Sequence, residues 1–337
     1  MPRVSILLPV YNGEKYVRAS LESILAQTFA DFEVVVWNDA STDFTSEILR
    51  TYRDTRIKVR NNPRNLGLFP TLNLAIRETR GEYVRLWSQD DVMKMSCLES
   101  ELRYFDAHPN ACLAYCAYDT IDDFGRLCSK RADIQKAYIV CPRVVSEIMF
   151  YHGDITGNIA NVTIRRSILE RSGMFREDMK VSADFEFLVR LAGAHSFCEI
   201  HEPLIYLRAH KRQFSVQRGV FPLHMRENAA IYEALIARMT HIDREYALAY
   251  HRYARHVGYL HYCVRNAMVG DWQEARAAFH EIRQQSDLGR TTLAYIISGN
   301  TRLYHPKPRY SDAVVAHFER ALPKFIKPPI RHYSERM

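Results

Sequence analysis

The sequence predicts a doubly wound, mostly parallel α/β sheet of Rossmann type, followed by an all-helical C-terminal region. Two observations carry that prediction. Over the first hundred residues, continuous apolar runs alternate with stretches of helical periodicity across short connections. From about residue 222 onward only the helical periodicity recurs. The expected division is a sheet domain over 1–222 and a helical region over 223–337, as suits a chain of 337 residues, too long for one minimal core.

The elements follow in order. VSILLPVY (4–11) is a run buried on both faces, and EKYVRASLESILAQT (14–28) sets Tyr16, Val17, Leu21, Ile24 and Leu25 on one helical face. FEVVVWND (32–39) is a second strand, and STDFTSEILRTYRD (41–54) a helix opened by a capping cluster. IKVRNN (57–62), FPTLNLAIRETR (69–80), with Pro70 near its start, and YVRLWS (83–88) complete strand, helix, strand. Beyond residue 97 come a helix stopped by Pro109, a strand over 111–122 and a weakly patterned stretch over 123–160. Then follow a short strand and helix over 161–173, a helix over 182–194 with Ser182 as N-cap, and a strand over 198–210. In the tail, one long helix runs from Asp243 to Gly270 and another over 271–285, where Asp271 and Glu274 have the spacing of a capping box. Ala275 and Phe279 give a single partial match to a tetratricopeptide packing pair, too little for a solenoid.

Composition narrows the class. Seven cysteines, odd in number and without a CxxC pair, point to a reducing compartment. The N-terminus has no signal-peptide pattern and no run reaches the ~20 apolar residues of a spanning helix, so a cytoplasmic protein is expected. Residues 225–337 carry 17 Lys and Arg against 11 Asp and Glu. Such a tail is either a solvated helical face or a peripheral contact with an anionic surface such as membrane headgroups at the inner face.

In doubly wound sheets, ligands bind beyond the carboxyl ends of the strands. Tyr11-Asn12, Asn38-Asp39 and Asp90-Asp91 all lie there and are expected to converge on one crevice. Asp39 either accepts from a nucleobase or ribose or caps the next helix. Asp90-Asp91 either binds a hard divalent cation with a substrate diphosphate or caps a helix. No GxGxxG follows the first strand, where Gly13 stands alone, so a nicotinamide site is disfavoured. Asp184 falls in a first helical turn and is either a plain helix-start charge or a base, since the macrodipole there favours the charged carboxylate. His210 is either a surface residue or a group able to ligate metal or bond a phosphate, with Arg208, Lys211 and Arg212 beside it.

Taken together, residues 4–43, 62–76, 81–91, 172–192 and 203–210 resemble glycosyltransferase family 2, over about the first 220 residues and in the family's order. The resemblance implies a GT-A fold and a cytoplasmic, inverting glycosyltransferase that uses a nucleotide-diphosphate sugar and Mg²⁺ or Mn²⁺. It implies that Pro9, Tyr11 and Asn12 border the nucleobase, that Asp39 bonds it, and that Asn65 and Asn73 face the nucleotide. By the same resemblance Asp90 and Asp91 bind ribose and the metal–diphosphate, with the metal relying on Asp91, while His210 contacts metal or diphosphate. Asp184 matches the general base. The acceptor would be a saccharide, lipid-linked or protein hydroxyl in surface polysaccharide or glycoconjugate synthesis, with no nucleic-acid partner and self-association left open. Ser88 and Ala183 stand where the family often has acidic residues. The alternative is a non-catalytic nucleotide- or carbohydrate-binding protein on a degenerate copy of the fold.

Overall fold

A computed structural model of the chain describes residues 1–289 apart from 133, 240–243, 245–246, 249 and 252–254, together with 291–292. It divides into two compact units, the first running to His210 and the second beginning at Lys211.

The first unit opens with β1 (Val4–Val10), α1 (Val17–Leu25), β2 (Phe32–Asn38), α2 (Thr45–Arg50), β3 (Ile57–Asn61), α3 (Leu68–Arg77) and β4 (Tyr83–Leu86). There follow β5 (Val92–Met93), α4 (Cys97–Ala107), β6 (Ala111–Ile121), β7 (Leu127–Ser129), β8 (Ala137–Val140) and α5 (Pro142–His152). Last come β9 (Val162–Arg165), α6 (Arg166–Ser172), α7 (Ala183–Ala192) and β10 (Ser196–Arg208). The sheet order is β3-β2-β1-β4-β9-β6-β10-β5, with β7 beside β6 and β8 beside β10.

Parallel pairing belongs to the strands the apolar runs marked: β3, β2, β1 and β4 all run one way. Beyond β4 the sheet is mixed. Strand β9 lies antiparallel to both β4 and β6, while β6 and β10 are parallel. The weakly patterned stretch 123–160 contributes β7, β8 and α5, whose short or exposed strands leave no clear periodicity.

Strands β1 and β2 are covered on both faces, so Ile6, Leu7, Leu8 and Val34 to Val36 are fully buried. Pro9 sits in this central strand without breaking a ladder. The Leu7 carbonyl, on the same edge of β1, accepts from Trp87, and the register of β1 with β4 ends at Leu7. The missing N–H of Pro9 therefore falls where no partner strand remains.

A charge lies inside this sheet. The Arg85 side chain on β4 is completely buried and pairs with Glu101 of α4 at 3.2 Å. Its guanidinium donates to the carbonyls of Leu86 (3.1 Å) and Val162 (3.0 Å), and Glu101 accepts from Thr163 Oγ1 of β9 at 2.7 Å. Burial pushes the Glu101 carboxyl up, and the facing Arg85 opposes that shift.

The second unit is helical: α8 (Val220–Ala237), α9 (His256–Met268) and α10 (Trp272–Gln285). Met225, Tyr259, Leu260, Cys263, Ala278 and Ile282 form its core. Gly270 closes the turn after α9 with φ of 83°, and Asp271 caps α10 by accepting from the Glu274 amide at 3.2 Å, as the capping-box spacing predicts. The expected helix start at Asp243 lies outside the described residues. Among the described residues no helix is long and apolar enough to cross a membrane.

Replacing one member of the buried pair strands the other charge. Arg85→Leu is expected to lower unfolding free energy by about 3–5 kcal/mol, read from urea denaturation. The double change Arg85→Leu with Glu101→Leu should recover part of the loss. A double variant as unstable as the single one would refute the uncompensated charge as the cause.

Candidate functional site

The carboxyl ends of β1 and β2 are knitted together by short polar side chains. Gln89 holds the Tyr11 backbone from both sides: its Oε1 accepts from the Tyr11 amide at 2.9 Å, and its Nε2 donates to the Tyr11 carbonyl at 3.0 Å. The Asn12 amide donates to Ser41 Oγ (3.0 Å) while Asn12 Oδ1 accepts from the Thr42 amide (2.8 Å). Asn12 and Ala40 both lie in the left-handed region, with φ of 48° and 58°. For alanine that conformation is costly, and it persists only because the surrounding bonds over-determine it. Gly13 is required by close approach, since a Cβ there would lie 2.5 Å from Gln89 Oε1. Pro9 is half-buried, and the Tyr11 ring is exposed.

Asp39 lies at the end of β2, yet Asp43, not Asp39, accepts from the first turn of α2, taking the Thr45 amide at 3.0 Å. The buried Asp39 carboxylate instead takes Asn62 Nδ2 (2.7 Å) and the amides of Leu66 (2.8 Å) and Gly67 (2.9 Å). It thus gathers the loop between β3 and α3, on which Asn65 is exposed.

The two carboxylates after β4 face different ways. Asp90 accepts from Ser88 Oγ through one oxygen and lies 2.9 Å from His210 Nε2 through the other. Asp91 is turned inward and buried, with its Oδ1 accepting from the Arg208 amide at 2.8 Å. Burial first, and the neighbouring Asp90 second, push the Asp91 carboxyl well above the usual carboxylate range. Asp90, not Asp91, is therefore the member of the pair that meets His210.

Arg208 is the crosspiece of this corner. Its Nε donates to the Asp90 carbonyl (2.8 Å), one terminal nitrogen donates to the Asp122 carbonyl (3.0 Å), and the guanidinium lies 5.0 Å from the Tyr16 ring centre. That ring also packs on His210, with centroids 4.7 Å apart, and its hydroxyl donates to Asp123. The imidazole is thus held by Asp90 on one side and by Tyr16 on its face. Among the described residues no three His, Cys, Asp or Glu side chains gather as a metal site. Asp90 and His210, one oxygen and one nitrogen donor in contact, suit a divalent cation only if a ligand supplies the remaining positions.

Asp184 sits in the first turn of α7, and its Oδ1 accepts from the Phe185 amide at 2.8 Å. Ser182 occupies the cap position, but its hydroxyl makes no capping bond. Asp184 lines a cavity with Leu86, Thr156, Ile159 and Phe175, so it shares a wall with the last residue of β4. Ala183, beside it, is fully buried. A carboxylate there would have to be buried with a partner of its own.

The loop ahead of α7 is clamped from two directions. Arg190 donates to the carbonyls of Ser172 and Met174, the latter at 2.8 Å, while pairing with Glu186 at 3.0 Å. From α3, the buried amide of Asn73 donates to the Phe175 carbonyl (2.8 Å) and accepts from the Phe175 amide (3.0 Å). Both ends of Asn73 are therefore engaged by this loop, which fixes where α7 begins. Gln89, Arg190 and Asn73's clamp escaped the sequence reading. Arg85 carried a legible signal, an arginine inside an otherwise apolar strand.

Residues 5–166 match the family model described as Glycosyl transferase family 2. An uncharacterized glycosyltransferase of Rickettsia prowazekii is 30% identical over 215 residues, covering 63% of this chain and 65% of the relative. One of Haemophilus influenzae is 29% identical over 223 residues, covering 64% and 68%. The matched part thus spans just under two thirds of the Rickettsia relative. Among solved structures, Staphylococcus aureus TarS 1–349 in complex with UDP-GlcNAc aligns with a TM-score of 0.65 at 19% identity, over 95% of this chain and 90% of that one. At that identity the likeness is one of fold.

The inward carboxyl of Asp91 has a measurable consequence. In the unfolded chain it ionises in the ordinary range, whereas the folded protein holds its proton to higher pH. Stability from this group is present at the acid end and declines as pH rises through that window. Asp91→Asn stays neutral and can still accept from Arg208. Its melting temperature should match the wild type near the ordinary carboxylate range and gain on it as pH rises. A difference that does not change with pH counts against the assignment.

Proposed function

From the match of residues 5–166 to glycosyl transferase family 2 and the likeness to glycosyltransferase relatives, we propose that this chain is a member of that family and an inverting, metal-dependent transferase. It moves a sugar from a nucleoside-diphosphate donor to a hydroxyl acceptor in polysaccharide or glycoconjugate synthesis, in the cytoplasm, with the chemistry on residues 1–222. The observation that carries this reading is the contact of Asp90 with His210 just past the end of β4, an oxygen and a nitrogen donor 2.9 Å apart. The fold likeness to TarS, solved with UDP-GlcNAc, supports a nucleotide-sugar donor.

The roles follow from the geometry. Tyr11, with its backbone fixed by Gln89 and its ring exposed, borders the nucleobase together with Pro9 and Asn12. Asp39 shapes the base pocket by holding the loop that carries Asn65, and it keeps an acceptor site on Oδ2 for the nucleoside. Asp90 and His210 would hold Mg²⁺ or Mn²⁺ with the donor's diphosphate, and Asp91 keeps that corner in shape through Arg208. When bound, the cation supplies Lewis-acid stabilisation of the departing diphosphate.

Asp184 takes the proton of the acceptor hydroxyl as that oxygen bonds to the anomeric carbon, and the bond from that carbon to the diphosphate oxygen breaks on the opposite face. Asn73 and Arg190 act through the loop before α7 and set the position of the base.

Asp184→Asn should lower kcat by about 10²–10⁴-fold while leaving the rise in melting temperature with UDP and Mn²⁺ intact. Full transfer by this variant, measured as UDP release across a panel of UDP-sugars, would show that another group is the base. Asp90→Asn should abolish the Mn²⁺-dependent part of the UDP-induced shift and leave the nucleotide-free melting temperature close to wild type. An unchanged Mn²⁺ dependence would exclude Asp90 from the cation seat.

A further inference from the structure

Helix α10 and the turn before it turn their charges the opposite way from a simply solvated helix. Residues 256–285 contain the carboxylates Asp271, Glu274 and Glu281, and each is engaged within the second unit. Asp271 pairs with Arg218 at 2.9 Å. Glu274 accepts from the Gly219 amide and the Tyr262 hydroxyl, each at 2.8 Å. Glu281 pairs with Arg226, and the Glu274 and Glu281 residues are only 4% and 2% exposed.

The outer face is the converse. Trp272, Arg276, Phe279 and Arg283 recur at i, i+4, i+7 and i+11, the spacing of one helical face, and all four are exposed. At the turn, Met268 is 80% exposed, Val269 75% and Trp272 60%. Arg265, one turn earlier, is exposed too. The surface therefore offers aromatic and aliphatic side chains interleaved with arginines, with the carboxylates of α10 turned inward and Asp287 exposed two residues past its end.

We propose that the outer face of α10, with the Met268–Trp272 turn, is a docking surface for an anionic lipid bilayer. Charge complementarity argues for that partner: arginine suits lipid phosphates, and no carboxylate of α10 lies on the outer face to repel them. Tryptophan and phenylalanine favour the interface between headgroups and acyl chains. Met268 and Val269 at the turn are exposed apolar side chains suited to shallow insertion. A second copy is a poor fit, since a two-fold contact would set arginine faces against one another. The inference concerns the second unit and stands independently of the transfer activity of the first.

The test is co-sedimentation of the full chain with vesicles of phosphatidylcholine, with and without phosphatidylglycerol. Binding is expected only to the anionic vesicles, weakening with salt, with a blue shift of tryptophan emission. Arg276→Gln with Arg283→Gln should reduce partitioning by about 30-fold, from ~1 kcal/mol per arginine at the surface. Trp272→Ser should remove the blue shift. Equal binding to neutral vesicles, or wild-type partitioning by the folded double variant, would overturn the proposal. So would lipid-free self-association that Trp272→Ser abolishes, which identifies a second copy. Salt-sensitive binding to soluble polyglutamate but not to vesicles would assign an acidic protein instead.

Discussion

The first unit is organised around one interaction, the buried pair of Arg85 and Glu101. Two charges without solvent must satisfy each other and their remaining hydrogen-bonding groups, which leaves few arrangements open. Arg85 lies on the last parallel strand, Glu101 on α4, and the carbonyl and hydroxyl they recruit, Val162 and Thr163, lie on β9. The seam between the parallel and mixed halves of the sheet is thereby fixed at the level where β4 ends. The guanidinium also lies over Trp87, whose indole donates to Ser20 Oγ at 2.8 Å, and Ser20 in turn donates to the Ser88 carbonyl. The direction in which the chain leaves β4 toward Asp90 is thus set from inside the core.

Outside that seam, precision comes from backbone groups captured by side chains. Gln89, Asp39 and Arg208 each bind main-chain groups of a different loop, and Asn73 and Arg190 together bind the one before α7. Loops have no ladder to fix them, so side-chain donors and acceptors take that role. The result is a site whose irregular segments are pinned individually.

The parallel half of the fold was legible because a strand buried on both faces leaves a continuous apolar run, as in VSILLPVY and FEVVVWND. Strands β7 and β8 were not, because Leu127–Ser129 is exposed throughout and Ala137–Val140 is mostly partly exposed. The strand-end placement of Tyr11, Asp39 and Asp90 was legible, since it follows from where the apolar runs stop. The division of labour between Asp90 and Asp91 was not. Adjacent residues after a strand end diverge, and which one turns inward depends on the Arg208 amide, more than a hundred residues away in sequence. The partner of Asn73, the Phe175 backbone, was not legible, because it lies about a hundred residues away in sequence.

The bonds of Asp39 and Asp91 bear on how copies of this fold diverge over time. Each side chain serves the folded chain itself, one to gather the Asn62–Gly67 loop and one to seat the end of β10. Selection for folding alone would preserve Asp39 in any descendant, whereas asparagine could replace Asp91 with a gain in stability as pH rises. The presence of Asp39 in a relative is thus testimony to inherited architecture. On the proposed roles, Asp184 and the Asp90–His210 pair are where drift would first record a change of occupation.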